Sequence, residues 1–489
     1  MATTHTTITK KATRNTKTTD DLVVEIDAIG TSGEGLARVG HRRVSVPLTI
    51  PGERVRVRLE RAHEGHAAAT LIEVLHPSPH RVSPRCAHFA PGAGPACGGC
   101  SWQHIAYPEQ LRLKTDLLAR LIRTAVPDAP APRPMLVATS LDDPWQYRHK
   151  VHFVFGAVDR RQRDLAMGHY ARGSRRIVGV SECPVHDDRG NAIAFAVRDA
   201  CRAARAGRTL KSVAVRVGSG TSETMATLVV TATGEKPLRA ATEALLSGDT
   251  APTSLHLNVH PKGDAYIFGR ETRQLAGPAR MREDVDGVSF LVSPTAFFQT
   301  NVQAAALLVR LVLEAVPEHA TVLDLYAGAG LFALPLARRG HRVAAIEENR
   351  AAVADGVASR DLNRIPEDRC RFIPAPVERA LVNARGADVV VLDPPRDGCE
   401  GPVLKALFGT IAPRFAVYVS CNPEALARDL AIITKHGYTV RSIQPVDMFP
   451  HTAHIEAVVV LSSEGIRKQE SGIRTGLGIS RRGGVKIEG

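Results

Sequence analysis

Ala387-Asp388-Val389-Val390-Val391-Leu392-Asp393-Pro394-Pro395-Arg396 is a short apolar run that stops on an acid and a pair of prolines. A run of this length with no polar alternation reads as a buried strand. The same design returns at Phe415-Ala416-Val417-Tyr418-Val419, which ends on Ser420-Cys421-Asn422-Pro423. Working outward, Val322–Tyr326, Arg342–Ile346 and Arg371–Ile373 are further apolar runs, and helical patterns such as Leu331–Arg339 and Ala425–His436 lie between runs of this kind. Another helical pattern, Val302–Val316, precedes them. Strands alternating with helices at this spacing imply right-handed crossovers and a mostly parallel sheet, so the expected class is α/β. Val440–Val446 and Ile455–Leu461 have no helix between them, so an antiparallel hairpin is expected to close the sheet. Chemistry in open α/β sheets gathers at the carboxyl ends of the strands. Here those ends carry Asp393 and Cys421.

A chain of 489 residues is too long for one ordinary core. Residues 21–78 contain evenly spaced alternating strands, among them Gly35–Val39, Arg43–Pro47 and Glu53–Leu59, with Gly and Pro between them, which predicts a small β-barrel. Arg54, Arg56 and Arg58 alternate with Val55 and Val57, so one face is expected to be apolar and the other positive. That positive face reads either as an RNA-binding surface or as an ordinary solvated one. Residues 79–287 are α+β in character, with a helix over Pro108–Thr124 expected to dock on the following domain, residues 288–462. Residues 1–20 and 463–489 have little to bury and are expected to be disordered.

Lys plus Arg exceed Asp plus Glu by 13, the sign expected for a polyanionic partner such as nucleic acid. No apolar run is long enough to span a bilayer and no secretory leader is apparent, so a cytoplasmic protein is expected, with no membrane and no obligate protein partner. In a reducing compartment the eight cysteines read as ligands, nucleophiles or core residues. Cys86, Cys97, Cys100 and Cys183 supply four thiolates, with Cys97-Gly98-Gly99-Cys100 as a chelating turn. Such a set suits an iron–sulfur cluster or a tetrahedral zinc, for which His88 is a possible substitute ligand. Cys201, Cys370 and Cys399 read as core thiols.

Asp324-Leu325-Tyr326-Ala327-Gly328-Ala329-Gly330 follows the first strand of the α/β region, and its small residues let backbone approach a nucleotide-like ligand. Glu347 ends the next strand, where a carboxylate can accept both ribose hydroxyls. The prolines after Asp393 stiffen a loop over that ligand. Amine methyltransferases place an aromatic after Pro-Pro to stack the base; here Arg396 stands there. A thiol at Cys421 supplies what carbon methylation needs: pyrimidine C5 is a poor nucleophile until a thiolate adds at C6. The product must then lose its C5 proton to a base. Glu456, a lone carboxylate at the head of an apolar strand, is the favoured base, ahead of His451 and His454.

These residues together resemble the S-adenosylmethionine-dependent RNA uracil-5 methyltransferases that carry an N-terminal TRAM barrel, over approximately residues 21–462. Ser420-Cys421-Asn422-Pro423 is similar to the nucleophile motif, and Phe449-Pro450-His451-Thr452 leading to Glu456 to the base motif. The resemblance implies a Rossmann-like class I methyltransferase domain and catalytic roles for Cys421 and Glu456. It places S-adenosylmethionine on Gln299, Tyr326, Glu347 and Asp393, and a [4Fe-4S] cluster on Cys86, Cys97, Cys100 and Cys183. RNA, either rRNA or tRNA, is the implied substrate. The segment between Cys86 and Cys97 is longer than in that family, and Pro374-Ala375-Pro376 stands where a polar adenine contact is usual. RNA cytosine-5 methylation and non-catalytic RNA binding are the competing readings.

Overall fold

A computed structural model describes residues 21–63, 65–90, 94–157, 165–233, 236–261, 267–382, 384 and 386–463. The tails expected at 1–20 and 463–489 lie outside these residues, apart from Ser463. The chain divides into two compact units, Met1–Arg81 and Val82–Gly489.

In the first unit, strands Asp21–Glu25, Ala28–Ile29, Gly35–Val39, Arg42–Val46, Arg54–His63 and His66–His76 form one sheet. Its two outermost strands, Asp21–Glu25 and Ala28–Ile29, are consecutive stretches of one bent segment. The first pairs with Arg54–His63 and the second with Gly35–Val39, so the sheet closes into a barrel and leaves no edge. Val24, Val44, Val46, Val55 and Val57 fill it. Glu53 is fully buried at the base and accepts from the amides of Ile50 and Ser78 and from the Arg81 guanidinium at 2.6 and 2.7 Å. The alternation read from Arg54 to Arg58 holds, with the valines inside and the arginines outside. That face is not bare positive charge, however. Glu25 stands opposite Arg54, Glu73 bonds Arg56 at 2.5 Å and Asp21 bonds Arg58 at 3.0 Å.

The second unit contains a seven-stranded sheet ordered Glu271–Ala276, Ser254–Val259, Thr224–Val230, Leu210–Val217, Lys150–Ala157, Leu165–Tyr170 and Ile177–Gly179. Helices Asp188–Ala203 and Lys236–Leu246 cover it. A hairpin, Met281–Val285 with Val288–Val292, comes next in the chain. Its turn, Asp286-Gly287, has both residues at positive φ, and the boundary expected between residues 287 and 288 would cut this hairpin, inside the unit Val82–Gly489.

The remaining sheet runs Cys370–Pro374, Arg342–Glu347, Thr321–Leu325, Val389–Leu392, Phe415–Ser420, Glu456–Ser463 and Tyr438–Val446. The first five strands are parallel and the last two antiparallel, as the missing helix implies. Alternate residues feed two cores: Val389, Val391, Val417 and Val419 face one, Val390, Leu392, Ala416 and Tyr418 the other. Burial on both faces explains why these strands read as unbroken apolar runs.

Helix Tyr107–Ala125 packs Leu117, Leu118 and Ile122 into the second of those cores. Each such side chain withdrawn from water contributes about 1.5–3 kcal/mol. One turn earlier on that helix Lys114 is fully buried and bonds Asp447 at 2.6 Å and the Phe449 carbonyl at 3.1 Å, while Tyr107 donates to the other Asp447 oxygen at 2.8 Å. Removing one member of a buried pair strands the other charge, at a cost of about 3–5 kcal/mol. Asp447→Ala is therefore expected to lower stability by roughly that amount in a denaturant melt. Lys114→Met combined with Asp447→Leu should recover most of the loss, because no charge is then left unpaired.

Candidate active site

Ser420 pairs with Ala457 across the antiparallel ladder, so the next position of the register sets Cys421 beside Glu456. Strand Phe415–Ser420 is parallel to Val389–Leu392, with Leu392 opposite Tyr418, so Asp393 emerges at the same edge. Asn422 anchors the backbone on the far side of the thiol. Its Oδ1 accepts from the amides of Glu424 and Ala425, capping helix Pro423–Thr434, while its Nδ2 donates to the Arg396 carbonyl at 2.8 Å. The same helix holds the Pro-Pro loop twice more. Arg428 donates to the Asp397 carbonyl, and Asp429 accepts the Cys399 amide at 2.7 Å. Cys399 is buried, as a core thiol should be, yet it hydrogen-bonds the hydroxyls of Tyr326 and Tyr418. Asp429 anchors this group by accepting from Tyr418 at 2.6 Å.

Burial pushes the Cys421 thiol up to about 11, and the neighbouring Glu456 and Asp393 carboxylates add to the rise, against a smaller opposing effect of Arg396. Glu456 is 5% exposed; burial and Asp393 hold its carboxyl well above the usual range, again against Arg396. Asp393 is pushed up to about 7 by desolvation. At rest the thiol is protonated, and the carboxylates beside it are unusually basic.

Tyr326 sits at the end of Thr321–Leu325 with φ 61°, a conformation an L-residue adopts at a cost, and such strain collects at functional sites. Gly328 and Gly330 continue the turn at φ 56° and 88°. The Gly328 amide donates to Glu347 at 3.0 Å and the Asn349 amide donates to the other Glu347 oxygen at 2.7 Å, which fixes that carboxylate at its strand end. Asp324, one rung inside, is a site residue that the sequence reading passes over. It is fully buried, and burial, then Asp393 and Glu347, raise its affinity for a proton against the smaller opposing effect of the Ala333 amide. The signal is present in the sequence: an acid inside Val-Leu-Asp-Leu is the same pattern that singles out Glu456. Gln299 comes from outside the sheet and is half-buried between Phe298, packed on Phe290, and Asn301. Asn301 caps helix Val302–Ala315 and donates to the Met448 carbonyl at 3.0 Å. Pro376 only starts the short helix Val377–Leu381.

The loop before Glu456 is clamped on several sides. His451, at φ 63°, stacks on Trp145 at 3.8 Å; its ring contacts the Gln110 amide and the Pro144 carbonyl, and burial pushes it down to about 3. A buried neutral ring with both nitrogens engaged is a structural residue. His454 is exposed, edge-on to Phe449. Tyr147 donates to the Pro450 carbonyl, and the Ser101 and Trp102 amides donate to the His451 carbonyl at 3.0 and 2.9 Å.

Ser101 directly follows Cys100, so this clamp adjoins a second site. Cys86, Cys97, Cys100 and Cys183 line one cavity together with His88, Phe89, Arg148, His169 and His186. The Gly99 amide points at the Cys97 sulfur at 3.4 Å. Burial raises all four thiols, Cys100 to about 11, so each is protonated unless something binds it. His169, Cys183 and His186 also converge, with ligand atoms within 4.8 Å of one another.

Residues 380–464 match the family model of the tRNA (uracil-5-)-methyltransferases, and residues 22–80 match the TRAM domain of tRNA (uracil(54)-C(5))-methyltransferase. An uncharacterized RNA methyltransferase of Thermosynechococcus vestitus is 35% identical over 90% of this chain and 97% of its own length. The chain belongs to the S-adenosylmethionine-dependent RNA uracil-5 methyltransferase family. A second relative, an uncharacterized RNA methyltransferase of Gloeobacter violaceus, is 34% identical over 90% of this chain and 96% of its own. Among solved structures, the Pyrococcus abyssi tRNA (uracil-54, C5)-methyltransferase in complex with S-adenosyl-L-homocysteine superposes with a TM-score of 0.72 at 25% identity, covering 90% of this chain and 100% of that one. That likeness spans the barrel as well as the catalytic sheet.

Because a carboxylate beside a thiol opposes its ionisation, Glu456→Gln should lower the Cys421 pKa and speed its alkylation by iodoacetamide at pH 8–9. Peptide mass spectrometry resolves Cys421 from the other thiols. An unchanged pH–rate profile would mean the two groups do not interact.

Proposed function

We propose that this RNA methyltransferase transfers a methyl group to C5 of a uridine through a transient bond between Cys421 and C6. The observation that supports this reading above all others is the ladder register that sets Cys421 beside Glu456 at a sheet edge. Cys421 Sγ adds to C6 as its proton leaves to a neighbouring carboxylate or to water, and C5 becomes enolate-like. S-adenosylmethionine supplies the electrophilic methyl group. Glu456 then takes the C5 proton, its burial having made it the stronger base, and the Cys421 thiolate is eliminated as the 5,6 double bond re-forms. The uridine must leave its stack first, because C6 of a stacked base is closed to attack from above the ring.

Asp324, Glu347 and Asp393 support the cofactor assignment. The buried Asp324 and the half-buried Glu347 and Asp393 crowd one edge and repel each other, and a cationic ligand relieves that repulsion. S-adenosylmethionine carries both a sulfonium and an ammonium. Tyr326, Glu347, Asp393 and Gln299 are its proposed contacts, with Asp324 added for charge. The family models and the Pyrococcus enzyme make tRNA the first RNA to test, with rRNA the alternative.

For the cysteine chamber we favour a [4Fe-4S] cluster, since four sulfurs line one cavity and a backbone amide points at one of them. Bound there, the cluster would order the Cys97–Cys100 turn and with it the amides that hold His451. The convergence of His169, Cys183 and His186 favours zinc as a second reading.

Two measurements test these assignments. Cys421→Ala should abolish transfer of radiolabelled methyl to tRNA and rRNA while RNA binding persists, and Glu456→Gln should accumulate a denaturation-resistant protein–RNA conjugate; full activity of Cys421→Ala would refute the mechanism. Anaerobically purified protein should contain iron and sulfide, about four of each per chain. Stoichiometric zinc and no iron would replace the cluster with the second reading.

A further inference from the structure

The barrel places like charges directly against one another. Arg38 and Arg43 are opposite partners on adjacent antiparallel strands, and Arg43 is in turn paired with His66 on the strand beyond. All three are exposed, while their chain neighbours Ala37, Val44 and Ala67 point into the barrel, so the row lies on one outer face. His41 and Arg42 are exposed at the adjoining hairpin tip, where Gly40 turns the chain at φ 60°. No ion pair engages Arg38, Arg42 or Arg43 among the described residues. Like charges directly opposite in a ladder cost stability. The contrast with strand Arg54–His63, on the other side of His66–His76, is internal to the barrel: Arg54, Arg56 and Arg58 each face Glu25, Glu73 or Asp21. Two rows of arginines of similar exposure therefore differ in one respect, the presence of a carboxylate across the ladder.

We propose that the hairpin Gly35–Val46, through Arg38 and Arg43 with Arg42 and His66, binds the phosphodiester backbone of the RNA substrate. The inference rests on the reading that RNA is the substrate and adds where the barrel meets it. A phosphate between two guanidiniums converts their repulsion into paired, charge-assisted hydrogen bonds, which Arg forms in bidentate geometry. The row carries no Phe, Tyr or Trp and no buried polar pocket, so it reads mainly backbone charge and leaves base choice to the second unit.

The test uses the full chain and fluorescently labelled unfractionated tRNA, with binding followed across a salt series. Arg38→Gln with Arg43→Gln should weaken binding about ten-fold near 0.15 M salt and lower the log–log salt slope by roughly 1.5–2, the value expected for two lost phosphate contacts. Its thermal midpoint should stay level or rise, since the repelling pair is gone. Arg56→Gln with Arg58→Gln should change the slope by less than half as much. A wild-type slope in the Arg38/Arg43 variant, or an equal drop in the Arg56/Arg58 control, overturns the assignment. So does a lowered thermal midpoint without a change in slope, which marks a structural role. If the wild-type protein neither binds nor methylates any tRNA or rRNA, the substrate reading itself fails. If it does both and the Arg38/Arg43 variant keeps the wild-type affinity and salt slope, the hairpin alone is excluded.

Discussion

The ladder between Phe415–Ser420 and Glu456–Ser463 sets the terms for everything around it. Adjacent strands hold their side chains within a few ångströms by backbone bonding alone, so a thiol and a carboxylate at its end are neighbours before any side chain contributes. The rest of the second unit serves that pairing from both sides. Helix Pro423–Thr434 pins the loop after Asp393 through Asn422, Arg428 and Asp429. Gln110, Lys114, Trp145 and Tyr147 pin the loop before Glu456. Side chains held from independent directions keep one geometry, which is what pre-organisation requires.

Charge is sorted with equal economy. The chain is basic overall, yet the edge of this sheet gathers the buried acids Asp324 and Glu456 and the half-buried Asp393, with the exposed Arg396 as the cation that acts on Glu456 and the thiol. A cationic cofactor suits such an edge. Unneutralised arginine appears instead on the barrel, away from any opposing carboxylate. Net charge announces a polyanionic partner but not its place, because place depends on which carboxylate each cation meets across a strand.

Much of this was legible in the sequence, and the reason is local. Strands buried on both faces spell themselves as apolar runs, and Val389–Leu392, Phe415–Ser420 and Tyr438–Val446 fell close to their expected bounds. Cys421 and Glu456 stood out as reactive groups at strand ends. What stayed hidden depends on partners far away in the chain. Nothing in the sequence marks Lys114 as the buried partner of Asp447, and Cys399 reads as a core thiol although Tyr326 and Tyr418 hydrogen-bond it. The arginines from Arg54 to Arg58 read equally as a binding or a solvated face for the same reason: alternation along one strand says nothing of the acids opposite.

The clamp on the Glu456 loop also carries a consequence for biosynthesis. Lys114 and Asp447 are 333 positions apart, and Gln110 and His451 are 341 apart. A ribosome adding roughly 5–20 residues each second needs about a quarter-minute to a minute to bridge such a gap. Throughout that interval Lys114 has no Asp447 on the nascent chain to neutralise it, although much of the apolar core around Leu117 and Leu118 emerges earlier. The clamp on the loop before Glu456 is thus among the last contacts that synthesis makes possible.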